Sequence, residues 1–178
     1  MFTHLRRGRG YSFETRVVAE LNSHEWRARR LGGSSMGLPD VVAVSTYNDT
    51  LYSIECKSTK STAAYVPQDQ LLRCKEITQM FDKYTNRYVV LGFKFAANKA
   101  EIRNKRKIKK RKLKYFFFII SDTRYFDEIE WFKCDDTGRI SFKSKTMPNE
   151  ILQKYQLFDK IMLDISLLRT RMNQRTLV

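Results

Sequence analysis

The chain has 178 residues, with 34 Lys or Arg against 19 Asp or Glu, so its formal net charge is +15. This charge favours a polyanionic partner, most commonly nucleic acid and next an anionic membrane surface. A content of 42 % hydrophobic and 13 % aromatic residues argues against general disorder. Three cysteines and two histidines are too few for a disulfide framework or a His-rich metal site. We therefore expect one domain, or one plus an extension, in a reducing cytoplasm, without a signal peptide or membrane segment.

The chain order predicts helix, strands, helix and strands. Ser12 is the expected cap of the first helix, a Gly/Ser-rich turn follows at 31–38, and Asn48 with Asp49 is typical of a hairpin turn. Pro67 is expected to open the second helix. The predicted elements are a helix at 12–22, strands at 40–45 and 51–57, a helix at 67–83, strands at 87–95 and 115–121, and a hairpin at 128–143.

Two segments differ from these elements. Between residues 99 and 114, ten of sixteen residues are Lys or Arg, which is typical of a solvated loop that can lie along DNA. From residue 149, apolar residues at helical spacing predict a C-terminal helix. The expected fold class is α/β, with a mixed central β-sheet flanked by helices and a C-terminal helical extension. The expected organisation is one domain at 1–147, with a basic insertion at about 97–114, and the extension at 148–178.

Charged residues on the two strands of the first hairpin carry the predicted chemistry. Asp40 begins one strand, and Glu55 and Lys57 lie two residues apart on the next, so strand alternation puts the latter two on one face. The hairpin can bring Asp40 beside Glu55. Carboxylate oxygens are hard ligands that suit Mg²⁺ or Mn²⁺, with the main-chain carbonyl of Cys56 as a third candidate ligand. Lys57 could then stabilise charge on a phosphate or orient water.

A simpler interpretation exists for the same residues. Asp40 could be a turn residue, with Glu55 and Lys57 a solvent-facing pair on an edge strand. The surrounding sequence is mostly apolar, however, which favours interior strands. A glutamate in an interior strand needs a partner, because burial of its charge alone is costly.

The order of the motifs adds a family resemblance. A PD pair followed by ExK after 14 intervening residues is the signature of the PD-(D/E)xK nuclease superfamily. The ordered set GYSFE, RLGGSS, PDVVAV, YSIECK, Gln70-Leu71 and VVLGFKF resembles the archaeal Holliday junction resolvases over about residues 6–143. The resemblance implies a restriction-endonuclease-like fold in a nucleoid-associated homodimer. It also implies a metal-dependent endonuclease that nicks opposed strands of a four-way DNA junction in recombination and repair.

The resemblance also implies roles for individual residues. The helix-borne Glu14 would help to hold metal or water. The remaining expected roles are Asp40 and Glu55 as metal ligands, Lys57 as the catalytic lysine, Arg30 and Ser34 near the scissile phosphate, Arg7, Arg9 and Lys60 on the DNA, and Ile77 and Phe81 at the dimer interface.

Three features depart from the family pattern. Thr15 follows Glu14 where members often carry an Arg, and Arg16 is displaced by one residue. The basic stretch at 99–114 replaces a short turn, and the C-terminal helix exceeds the usual length. Two alternatives therefore stay open: a repair or restriction-type nuclease built on the same core, or a non-catalytic basic protein that binds nucleic acid.

Overall fold

The computed structural model describes residues 3–23, 25–32, 36–96 and 113–144. The predicted C-terminal helix, Ser34 and most of the basic insertion lie outside these residues. No helix in the described ranges is long and apolar enough to cross a membrane. In chain order, the elements are α1 (Thr3–Asn22), β1 (Arg27–Arg30), β2 (Val41–Ser45), β3 (Thr50–Thr59), β4 (Ala63–Pro67), α2 (Gln68–Met80), β5 (Asn86–Phe95), β6 (Lys114–Ile120), β7 (Ile129–Asp135) and β8 (Ile140–Ser144).

A five-stranded mixed sheet forms the centre of the fold, with the strand order β1-β2-β3-β5-β6. The predicted hairpin is confirmed, because β2 and β3 pair antiparallel with Val41 opposite Ile54. Strand β3 also pairs with β5 in parallel, which makes it the middle strand. The expected class, a mixed sheet flanked by helices, is therefore confirmed, and the motif strands lie in its interior.

Two apolar cores cover the two faces of this sheet. Side chains of α1 pack on one face around Phe13 and Val17, together with Ile54 and Cys56 of β3. The helix α2 and a second sheet, with the order β4-β7-β8, cover the other face. The three consecutive phenylalanines of β6 point to both faces, as expected of core residues. Phe117 packs in the α1 core, whereas Phe116 and Phe118 pack against the α2 core.

The first helix is longer than the sequence predicts. It begins at Thr3, so Ser12 lies inside it and the prediction of a cap at Ser12 is wrong. Gly8 and Gly10 lower helix propensity, so the sequence predicts that the helix begins after them, later than it does. Extending an existing helix costs less than nucleating a new one, so two glycines between good helix formers do not end it.

Two short strands have no counterpart in the prediction. The sequence of β1 is RARR, in which only Ala28 is buried, so it lacks the apolar alternation that predicts a strand. The strand β4 ends at Pro67, which was expected to open a helix. Pro67 instead ends the strand and is the N-cap residue of α2. The helix ends at Met80, short of the predicted residue 83, with Phe81 as its C-cap.

Candidate active site

The β2–β3 hairpin brings the predicted acidic residues together. Asp40 directly precedes β2, and because Val41 is opposite Ile54, Asp40 lies alongside Glu55. Both carboxyl groups are buried, with residue exposures of 8 % for Asp40 and 3 % for Glu55. Glu55 is in register with Leu91 of β5, which belongs to the α2 core, so Glu55 faces α2.

Each carboxylate has a defined hydrogen-bond partner. The backbone N–H of Cys56 donates to Oδ2 of Asp40 at 2.8 Å. The Nζ of Lys57 donates to Oε1 of Glu55 at 2.6 Å, which confirms that the two side chains share one face of β3. The strand geometry and these two bonds fix three charged groups in one place.

The electrostatics of Glu55 are unusual for a glutamate. Burial raises the pKa of Glu55 to about 7. The positive charge of Lys57 opposes the rise and the negative charge of Asp40 adds to it. Two carboxylates and one lysine leave net negative charge in a buried place, and such arrangements are common at functional sites.

The donor set of this pair fits a divalent cation. Two neighbouring carboxylates offer hard oxygen ligands, and the charge that they leave uncompensated favours a bound cation. No group of three or more His, Cys, Asp or Glu side chains is gathered as a metal site within the described ranges. Among the described residues, the fit therefore rests first on Asp40 and Glu55.

Glu14 is the third predicted ligand, and the structure pairs it with Arg30. The Nη2 and Nε of Arg30 lie 2.5 and 2.7 Å from Oε2 of Glu14. The contact joins α1 to β1 on the side of the sheet that α1 covers. Glu14 remains close enough to raise the pKa of the buried Cys56 thiol, although burial is the main cause and the contributions of Asp40 and Glu55 come next.

Sequence reasoning missed a positive charge on α2. The charge of Arg73 lowers the pKa of Glu55, although less than burial raises it. Its Nη2 donates to Asp69 at 2.5 Å, and its buried Nη1 has no hydrogen-bond partner among the described residues. The sequence did offer one signal: Arg73 precedes Cys74, a residue of the buried side of α2, so its side chain can reach toward the sheet.

The other predicted residues fall into three groups. Arg7 and Arg9 belong to the first part of α1, and Lys60 directly follows β3. Ile77 is buried on α2, whereas Phe81, just beyond the helix, is 41 % exposed. Ser34 lies outside the described residues, so its predicted role stays a prediction.

The fold and the site together define a class of protein. An interior β-hairpin that holds an aspartate beside a Glu-x-Lys triplet, within a mixed sheet flanked by helices, is the arrangement of PD-(D/E)xK nucleases. A family model described as archaeal Holliday junction resolvase (hjc) matches residues 5–124, which is more than half of the chain. The chain belongs to this family, and it is therefore a nuclease whose substrate is branched DNA.

Solved structures of individual proteins are also similar to this chain. One of them is Hjc of Archaeoglobus fulgidus, a Holliday junction resolvase from an archaeal hyperthermophile, solved at 1.6 Å resolution. The two chains are 22 % identical, the match covers 72 % of this chain and 84 % of that chain, and the TM-score is 0.44. No curated protein sequence matches the chain.

Proposed function

We propose that this protein hydrolyses one phosphodiester bond in each of two opposed strands of a four-way DNA junction, with Mg²⁺ as its cofactor. The observation that carries the proposal is the buried pair of Asp40 and Glu55, with Lys57 bonded to Glu55 at 2.6 Å. A nuclease needs such a centre, because phosphodiester hydrolysis requires an activated water and stabilisation of negative charge on the phosphate.

Asp40 and Glu55 are the proposed ligands of Mg²⁺, with the carbonyl oxygen of Cys56 as a third. When bound, the cation would lower the pKa of a water molecule and offset charge on a phosphate oxygen. Mn²⁺ has the same preference for oxygen ligands and is expected to substitute. Glu14 stays a predicted ligand, although its bond to Arg30 would first have to be exchanged.

The protein's own residues position the reacting groups. The N–H of Cys56 fixes the orientation of the Asp40 carboxylate, and Lys57 fixes that of Glu55. Lys57 has three N–H donors and uses one for Glu55, so the others can hold the attacking water or a phosphate oxygen. As the water oxygen forms a bond to phosphorus it releases one proton to solvent, the P–O bond opposite to it breaks, and the leaving oxygen takes up one proton from solvent.

Basic residues outside this centre are proposed to hold the DNA. These are Arg7 and Arg9 of α1, Arg30 of β1, Lys60 after β3, and the lysines and arginines of the insertion at 99–114. The net charge of +15 supports this part of the proposal. Phosphate contacts of this kind position DNA without reading its sequence, so specificity would come from the shape of the junction.

A homodimer is the second part of the proposal. Two opposed cuts require two active sites, and one chain holds one such centre among its described residues. Phe81 and Met80, at the C-terminal end of α2, are 41 % and 73 % exposed, which supports a contact there. Ile77 is buried within the chain, three residues before Met80 and four before Phe81, and its place at the interface stays a prediction. Sedimentation of the wild type and of Phe81→Ser tests the dimer, which Phe81→Ser should weaken.

Cleavage of a synthetic immobile four-way junction beside the matching linear duplex tests the function. We expect paired nicks in the junction only, lost with EDTA and with Glu55→Gln. The matched control is Glu76→Gln, which removes an equal charge from an exposed position on α2 and should cleave normally. Equal cleavage of both substrates would favour a general repair or restriction-type nuclease. Tight binding without cleavage under any metal would favour a binding protein.

A further inference from the structure

A second group of charged and aromatic residues lies on the α1 face of the sheet. The Nη1 of Arg16, on α1, donates to the hydroxyl oxygen of Tyr115, on β6, at 3.0 Å. The guanidinium carbon is 5.2 Å from the centre of the tyrosine ring. The Nζ of Lys94, on β5, is 5.8 Å from the centre of the Phe13 ring, and the Phe13 and Tyr115 rings are 5.9 Å apart. We call Arg16, Lys94 and Tyr115 the α1-face cluster.

The α1-face cluster holds two positive charges close together without a carboxylate. Burial lowers the pKa of Lys94, and the charge of Arg16 lowers it further, so the two cations are near enough to repel each other. Neither makes an ion pair with any residue in the described part of the chain. By contrast, the basic residues near the carboxylates are paired: Arg30 with Glu14, Lys57 with Glu55, and Arg73 with Asp69.

The hydrogen-bonding capacity of the cluster suits an anion. A guanidinium and an ammonium group are donors only. The hydroxyl of Tyr115 accepts its bond from Arg16, so its own hydrogen remains available to donate. A group that offers several donors and two positive charges at one place matches a phosphate oxygen, and charge-assisted bonds of this type are among the stronger hydrogen bonds.

The position of the cluster relates it to the active site. Lys94 is in register with Ser58 of β3, the residue after Lys57, and with Tyr115 of β6. Neighbouring strands are about 4.8 Å apart, so the cluster is within about two strand spacings of the end of β3 that carries Lys57. Lys94 and Lys57 approach the same end of the sheet from opposite faces. Residues 94 and 115 also flank the basic insertion in the sequence.

We propose that Arg16, Lys94 and Tyr115 bind a backbone phosphate of the junction DNA that flanks the scissile position. This inference rests on the proposed function, because it supplies a contact for the same substrate. The aromatic rings hold the two cations in place in the free protein, so little ordering is needed when the phosphate arrives. The site takes a phosphodiester of either DNA strand and carries no sequence preference.

The test measures equilibrium binding of a four-way junction over a range of salt concentrations. All variants carry Glu55→Gln, so that binding is read without cleavage. We expect Arg16→Gln and Lys94→Gln each to weaken binding about tenfold at 0.1 M salt. Loss of one phosphate contact should also make the slope of log K against log salt shallower by about 1. Tyr115→Phe keeps the ring and loses the hydroxyl, and should weaken binding about threefold.

The control is Lys83→Gln, which removes the same charge from an exposed lysine in the loop before β5. Lys83 lies beyond the opposite end of β5 from Lys94, and the variant should change affinity by less than about twofold, because distant exposed charges are largely screened. Thermal midpoints of all variants establish that they are folded, and Tyr115→Phe remains informative if Arg16→Gln is unstable.

The outcomes distinguish failure of the phosphate site from failure of the proposed function. If the wild type cuts junctions but the cluster variants bind no more weakly than Lys83→Gln, the inference is wrong and the proposed function stands. If the protein neither binds nor cuts junctions, both are wrong. A selective loss of affinity with the changed salt slope supports the inference.

Discussion

Two pairs of charged side chains in this protein differ in how completely the protein compensates their charge. We call Asp40 and Glu55 the interior pair, and Glu14 with Arg30 the rim pair. In the rim pair, two nitrogens of Arg30 contact one carboxylate oxygen, and the side chains are 12 % and 29 % exposed. In the interior pair, Lys57 pairs with Glu55, the N–H of Cys56 donates to Asp40, and both residues lie almost out of contact with solvent.

The comparison shows that acidic residues near the same site can differ in how far the protein itself compensates their charge. The rim pair has its counter-charge in the protein itself. The interior pair has one bonded lysine for two carboxylates, and its burial raises the pKa of Glu55 to about 7. Such an arrangement costs stability in the free protein, and sites that act on charged substrates are where this cost is commonly found.

The largest expected effect concerns cleavage. Asp40→Asn and Glu55→Gln keep the size of the side chain and remove its charge. On the proposed function each should slow cleavage at least ~1000-fold, since a metal ion bound at a nuclease centre stabilises the transition state by several kcal/mol. Glu14→Gln should slow cleavage by roughly 10- to 100-fold, the range of residues that act through another group. Single-turnover cleavage of the junction measures all three rates.

An equal loss of cleavage rate in the three variants would show that Glu14 matters as much for cleavage as Asp40 and Glu55. In that case Glu14 leaves Arg30 in the DNA complex and acts as a full ligand. Glu76→Gln serves as the control for loss of one negative charge and should cleave within about twofold of the wild type.

The second prediction concerns stability and pH in the metal-free protein. Glu55 has a pKa of about 7 when folded, against an ordinary value of 4.5. Between these values the folded protein holds a proton that the unfolded chain has released. Stability therefore falls as pH rises through this window, by roughly 3 kcal/mol, and is level above it.

Glu55→Gln should remove this fall and be more stable than the wild type at pH 8. Urea denaturation at pH 5, 6, 7 and 8 in EDTA measures the effect. Glu76→Gln corrects for the other carboxylates and should follow the wild type. A wild-type curve that stays level from pH 5 to 8 after this correction would show that Glu55 is already charged and satisfied in the free protein.

The third prediction uses the cation. If the interior pair binds Mg²⁺ as proposed, the cation should stabilise the wild type by about 1–3 kcal/mol at concentrations well above its dissociation constant. Asp40→Asn and Glu55→Gln should lose this stabilisation, and Glu14→Gln should keep it. Thermal unfolding with and without Mg²⁺ measures the shift. Equal stabilisation of all variants would place the binding of the cation elsewhere.

The sequence predicted the interior pair because its geometry is local. Alternation along a strand puts Glu55 and Lys57 on one face, and the short turn after β2 fixes the register that brings Asp40 beside Glu55. The apolar residues around them indicated an interior hairpin, and the structure confirms it. The catalytic and metal-binding roles of these residues remain predictions.

Contacts between distant elements could not be predicted in the same way. The pairing of Glu14 with Arg30 depends on how α1 packs beside β1, a strand whose sequence gave no signal. The contact between Arg16 and Tyr115 joins residues 99 positions apart. Arg73 acts on Glu55 only because α2 covers β3. In each case the residues follow no local period, and only the tertiary packing brings their charges together.

The smallest expected effect is the contribution of the rim pair to stability. The Arg30 side chain is 29 % exposed, so solvent partly screens the pair and it should contribute about 1 kcal/mol. A double-mutant cycle with Glu14→Gln and Arg30→Gln, followed by urea denaturation at low and high salt, measures the coupling. The coupling should fall as salt increases.

A coupling of 3–5 kcal/mol, insensitive to salt, is the behaviour of a buried pair. Such a value would mean that Glu14 and Arg30 are as isolated from water as Asp40 and Glu55. Exchange of Arg30 for a cation at Glu14 would then be costly.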